Sequence, residues 1–293
     1  AHAAGFPAGA GLCDRDVSLG LRSRTPSPFF SMFAQIVPAV RTPHGMDCFD
    51  YIIPDGMAIA CGQLVTIPFR RRTIPGLVIR RSTQSDFVGK TKSIAASYGS
   101  LIFPASTIDL LAWTARRTFC SQPTILKAWL RDLPKRIPSH PIPIDLRERN
   151  ARGSIRAHWN VFYERELIET ANRFRTEQKR VLILTPWRTR ADRYAEALHI
   201  PFLDSHQASG GSFQTWRQVL QEPNGCLVST RIGAWLASCV DVVLLDEPEN
   251  DDHKQDELQP RYDARRLVSW CAMHAGTHVE SFGRTPPLHV DVP

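Results

Sequence analysis

The hydrophobic period changes part-way along this chain, and one kind of layer cannot satisfy both patterns. Between residues 33 and 80, short β-branched runs ("FAQIVPAV", "FDYIIP", "QLVTIPF", "IPGLVIR") are punctuated by Gly and Pro. That spacing predicts a small β-barrel or sandwich. Pro38, Pro54, Pro68 and Pro75 lack a ladder donor and belong at strand edges or ends. From Ser106 the spacing becomes helical, placing Ile108, Leu111, Ala112, Ala115 and Phe119 on one apolar face, with Ser106 or Thr107 as the cap. "PTILKAWLRDL" predicts a second short helix, and the pair suggests a winged-helix-like module. The four prolines of "LPKRIPSHPIPID" (133–145) read as a linker.

Beyond the linker, apolar runs alternate with amphipathic segments. "RVLILTP", "GCLVST" and "DVVLLDE" read as buried strands and "THVESFGRTPP" as a last strand and loop. "YERELIETANRFRTEQ", "RADRYAEAL", "SFQTWRQVLQE" and "PRYDARRLVSWCAMHAG" read as helices, the last closed by Gly276. Such alternation predicts a parallel sheet covered on both faces. The expected chain is therefore α/β overall. Residues 1–31 form a disordered tail before Met32, which looks like a natural beginning. Residues 32–100 form a β-rich domain, 101–140 a helical module, and 141–293 a parallel-sheet lobe. No apolar run approaches the ~18 residues needed to span a bilayer, and the first 31 residues lack the pattern of a signal peptide.

Charge separates the same halves. Residues 32–140 carry 14 Lys/Arg against 6 Asp/Glu, whereas residues 141–293 carry 19 against 21. A basic first half points to a polyanionic partner. The seven cysteines are an odd number without close pairs, which disfavours a disulfide framework or zinc module and suits a reducing cytoplasm.

At "FDYIIPDGMAIACGQLVTIPF" and "VVLLDEPENDDHKQDELQPRYDARRL" the chain resembles the primosomal protein N′ (PriA) family of replication-restart helicases. "VLILTP", "VSTRIGAW" and "FGRTPP" stand in the order of further motifs of that family, so the resemblance spans roughly residues 32 to 290. It implies a 3′-end DNA-binding domain whose pocket motif falls on Phe49, Asp50 and Tyr51, with Lys92 near the pocket lysine. Arg70, Arg71 and Arg72 would face phosphates. An aromatic offers a stacking face for a terminal base, and a carboxylate accepts hydrogen bonds from a base edge or a 3′-OH. Arg70 stands where the family has Gly, which alters the pocket floor. The bland reading makes Phe49 and Tyr51 strand residues that pack the barrel and Asp50 a turn acid.

The resemblance also implies that residues 141–293 are a RecA-like helicase lobe with a nucleotide site, and here the sequence departs from it, as a degenerate lobe would. A phosphate loop needs Gly-rich backbone, a Lys and a Ser/Thr. The corresponding stretch, "RERNARGSIRAHWNVFYERE", offers only Gly153 with Ser154. The acid box keeps Asp246 and Glu247, but Pro248 follows and Glu249 replaces the usual His. These residues read as a relic, for which Asp246→Asn and Glu247→Gln would each change stability by no more than about 1 kcal/mol. His274 and His278, four apart at a helix end, read as exposed histidines rather than metal ligands. The seven acids among residues 246–257 read as a solvated loop.

The expected function is a DNA-binding replication-restart or primosome factor that recognises forked DNA and nascent-strand 3′ ends, without motor activity, cofactor or metal. Other replication proteins are possible partners, and no membrane is expected. Two alternatives stand beside it. One is an ATP-dependent helicase using Mg-ATP in a site completed by a loop around Gly153 or by a second polypeptide. The other is a docking adaptor for replication proteins.

Overall fold

The computed structural model describes residues 32–43, 45–85, 87, 89–130, 133, 146, 152–203 and 211–285. The expected tail and nearly all of the expected linker lie outside these residues. The chain is α/β: an antiparallel sheet precedes a parallel sheet covered by helices.

The first sheet contains β1 (Phe33–Pro38), β2 (Phe49–Ile52), β3 (Gln63–Phe69), β4 (Arg72–Ser82) and β5 (Ala96–Ile102), in the order β2-β1-β4-β3-β5. The two ends of this sheet are linked by the segment entering β5. Ile52 N–H donates to the Lys92 carbonyl (2.9 Å), and Ile94 N–H returns a bond to Ile52 (3.0 Å). Ala95 N–H then donates to Thr66 of β3 (2.9 Å). Successive strand residues point to opposite faces, so β1 contributes Ala34 and Ile36 to a core with Tyr51, Val65, Ile67 and Val78. Val37, Leu64 and Leu77 belong to a second core.

That second core reaches the rest of the chain through α1 (Ala105–Thr118) and α2 (Gln122–Trp129). Phe103 lies 5.9 Å from Trp235, Trp129 stacks on Trp235 at 5.9 Å, and Trp113 lies 6.0 Å from Trp270. Two expectations for α1 change. The residue before its first turn is Pro104, with no side-chain cap. Thr107 is buried and its hydroxyl bonds Ser238 (2.8 Å) instead. The helix also stops before Phe119. That residue turns left-handed (φ 53°) and is 90% exposed, so it is not on the buried face.

The second sheet has the order β6-β11-β10-β7-β9-β8, with every pair parallel. Its strands are β6 (Ile155–Trp159), β7 (Val181–Leu184), β8 (Phe202–Leu203), β9 (Cys226–Ser229), β10 (Val242–Asp246) and β11 (His278–Gly283). β7, β9 and β10 are buried at every position, as continuous apolar runs require in a doubly covered sheet. Helices α3 (Tyr163–Thr176), α4 (Arg188–Leu198), α5 (Gly211–Gln221) and α6 (Ala264–His274) join these strands. His274 ends α6 whereas His278 begins β11, so the two do not share a helix. His274 is exposed, but His278 is partly buried and bonds Glu280 (2.8 Å).

Among the described residues, no helix is long and apolar enough to cross a membrane. No group of three or more His, Cys, Asp or Glu among them could hold a metal ion. Six described cysteines are free thiols.

Candidate nucleic-acid interface

The outer edge of the first sheet carries a cavity of about 430 Å³, within the range of small-ligand sites. β2 supplies Phe49, Asp50 and Tyr51, and the β3–β4 hairpin supplies Pro68, Phe69 and Arg70. The segment before β5 adds Phe87, Lys90, Thr91 and Lys92, and Gln35 of β1 closes the wall beside Cys48. Gln35 pairs with Asp50 on one side and with Arg80 on the other, which sets these three positions in one row across the sheet.

The wall combines aromatic faces with opposite charges. Phe49 and Phe69 meet edge to face with centroids 5.4 Å apart. The Arg70 guanidinium lies 6.0 Å from the Phe69 ring centroid. Ser85 donates to Asp50 Oδ2 (2.7 Å), which orients the carboxylate. Lys92 Nζ donates to the Arg70 carbonyl (3.4 Å), tying the basic loop to the hairpin. Tyr51 is buried, and its hydroxyl donates to the Pro68 carbonyl (3.3 Å). Burial pushes its phenol up to about 12, so it is neutral structural support for the floor. Burial, then Asp47 and Asp50, also push the Cys48 thiol up.

Arg70 occupies the first loop position of a two-residue hairpin closed by the Phe69–Arg72 pair, at φ 54°. Glycine is the usual residue at a positive φ in such a turn. Here the backbone keeps that conformation and a guanidinium is added to the rim. The cavity therefore presents aromatic surface beside a hydrogen-bond acceptor at Asp50 and cations at Arg70, Lys90 and Lys92.

Residues 39–131 match the family model of the PriA 3′ DNA-binding domain. No curated protein matches the chain. The PriA match makes this region a DNA-binding domain of the replication-restart type, and it includes every residue that the motif suggested for the pocket. Phe49, Asp50, Tyr51, Arg70 and Lys92 come together, whereas Arg71 and Arg72 do not line the cavity. Sequence reasoning missed Gln35, Phe69 and Phe87 as wall residues. The alternation along β1 held a signal for Gln35, a polar residue between buried Ala34 and Ile36.

Outside the PriA match, Asp246 and Glu247 end β10 in a different setting from the one their sequence suggested. Asp246 is wholly buried. Thr185 donates to its Oδ2 (2.8 Å), and Arg190 Nη1 lies 3.3 Å from its Oδ1. Arg190 Nη2 reaches Glu247 Oε1 at 2.9 Å, and Tyr163 donates to the same oxygen at 2.8 Å. Arg190 also bonds the Tyr163 hydroxyl. Burial opposes the charge on Arg190, but Asp246, Tyr163 and Glu247 more than offset it and raise its basicity. Burial pushes the Asp246 carboxyl up to about 7, against Arg190 and Thr185.

Two expectations change as a result. The acid pair is a buried network, so its substitutions are not neutral surface changes. Truncating Arg190 would strand a buried charge, at a cost of about 3–5 kcal/mol. The Glu247→Gln change weakens a charge-assisted bond worth about 1.5–3 kcal/mol. Gly153, offered as part of an unusual phosphate loop, precedes β6 at the opposite end of the sheet from Asp246. Its N–H donates to Ala272 (2.8 Å), and any Cβ there would collide with the Thr277 carbonyl. A close backbone approach explains this glycine. The connection at the Asp246 end is Asn160-Val161-Phe162, with Val161 and Phe162 exposed. Arg190, Thr185 and Tyr163 engage oxygens of both carboxylates.

Proposed function

We propose that this chain is a replication-restart or primosome DNA-binding factor, a PriA relative whose first sheet captures the 3′ end of a nascent strand at a fork. The carrying observation is the cavity that sets Asp50 among Phe49, Phe69, Arg70, Lys90 and Lys92. An unstacked terminal base would lie against the aromatic rings. Its 3′-OH would donate to Asp50 while the rim cations meet phosphates. Such a factor works in the cytoplasm on forked or junction DNA, alongside other replication proteins.

A fork whose nascent 3′ end sits at the branch should bind more tightly than the same fork without a nascent strand. Asp50→Ala should erase that difference and leave general affinity nearly intact, because phosphate contacts carry most of the affinity. Equal binding of both forks by the unsubstituted protein would refute the reading.

In the same proposal the second lobe is a helicase-like scaffold without motor activity. Arg190 supports this, since it supplies within the chain the positive charge that a divalent cation would bring to the acid box. Calorimetry should detect no ATP binding. Micromolar affinity, or DNA-stimulated phosphate release that Glu247→Gln abolishes, would instead establish the ATPase reading.

A further inference from the structure

Phe119 stands where neither burial nor backbone conformation favours phenylalanine. It follows the last turn of α1 at φ 53° and ψ 34°, a left-handed cap position usually filled by glycine. Its ring is 90% exposed. Arg116 and Arg117 precede it, both exposed, and exposed Lys127 follows in α2. Across residues 105–130 these three cations face a single acid, Asp109. A strained, exposed aromatic within a basic surface has the composition of a platform for single-stranded nucleic acid.

Its position links it to the DNA cavity. The Gln122 N–H donates to Asp47 Oδ1 (3.1 Å), which ties the Phe119–Gln122 turn to the segment entering β2. Asp47 adjoins Cys48 and Phe49 of the cavity wall. Following the backbone through that bond, Phe119 is within roughly 25 Å of the cavity, a span of about seven stacked nucleotides. Cys120 on the same turn bonds Gln259 (3.0 Å), which holds the turn against the second lobe.

We propose that Phe119 is a second DNA contact, stacking on an unpaired base of the DNA held at the cavity, while Arg116 and Arg117 meet its phosphates. This rests on the 3′-end reading, with the platform as an added site. The aromatic ring carries the contact, so aromatic character at this position matters more than charge.

The test uses the full chain and a fluorescein-labelled single-stranded 12-mer, prepared with a 3′-OH or a 3′-phosphate. Phe119→Ala and Phe119→Gly should weaken binding roughly 5- to 150-fold, and Phe119→Tyr should stay within about 3-fold of the unsubstituted protein, as a retained stacking face requires. All three should keep the salt slope, because no phosphate contact is lost. Phe119→Gly should also raise the melting temperature, since glycine relieves the left-handed strain. Opposite movement of stability and affinity separates a binding role from a structural one. Unchanged affinity in Phe119→Gly, or a fall in its melting temperature, would overturn the proposal. The two end chemistries keep the readings apart. A lost 3′-OH preference in the unsubstituted protein refutes the cavity reading, whereas a kept preference with indifferent Phe119 variants refutes the platform alone.

Discussion

Asp246 is wholly buried beside Arg190, and its acidity is the residue-scale property most open to measurement. Burial raises its carboxyl to about 7 from the ordinary 3.8, so the folded protein holds this proton after the unfolded chain has released it. Its contribution is fully present below the unfolded value and is lost as pH rises through the folded value. Between pH 4 and about 7, Asp246 therefore lowers stability as pH increases. Chemical unfolding across that range should show a smaller decline for Asp246→Asn than for the unsubstituted protein. Identical pH slopes would contradict the burial of an ionisable group here. Arg190 was illegible in the sequence because "RADRYAEAL" reads as a helix with a solvated charged face. Only the position of α4 at the carboxy end of β7 turns that arginine inward, toward the acids of β10. His253 was hidden in the same way. Within an acidic stretch it looked solvated, yet it is buried and donates to the Asp246 carbonyl (2.8 Å).

At the scale of elements, the basic residues group on the β3–β4 hairpin, the far end of β4 and the segment before β5. Arg70, Arg71, Arg72, Arg80, Arg81, Lys90 and Lys92 are all exposed. If about four of them engage phosphates, the log–log slope of affinity against salt should be near −3 to −4. A flat dependence in a salt titration would assign these residues to solubility. The helices and the buried strands were legible because their hydrophobic periods are strong, and the acid-ended strand β10 was plain as an apolar run. β6 was not legible. "IRAHW" is mostly exposed and pairs only through β11, so it has no apolar run to reveal it. The left-handed end of α1 was missed for a related reason. Helical spacing extends to Phe119, and nothing local announces the stop.

For the molecule as a whole, the aromatic core is the feature that period analysis could not supply. Phe103, Trp129, Trp216 and Trp235 join the segment after β5, α2 and the parallel lobe. Each is an ordinary core residue in its own segment, and only the packing brings them together. The sheet that bears the candidate cavity contributes Val37, Leu64 and Leu77 to this core, so measurements on the cavity belong to the full chain. The central claim is that Asp50 in this cavity reads a terminal hydroxyl. Its most direct test is the ratio of affinities of the full chain for one DNA ending in 3′-OH and the same DNA ending in 3′-phosphate. A clear preference for the hydroxyl end, reduced to parity by Asp50→Ala, is the predicted result, and equal affinities for the two ends in the unsubstituted protein would contradict the claim.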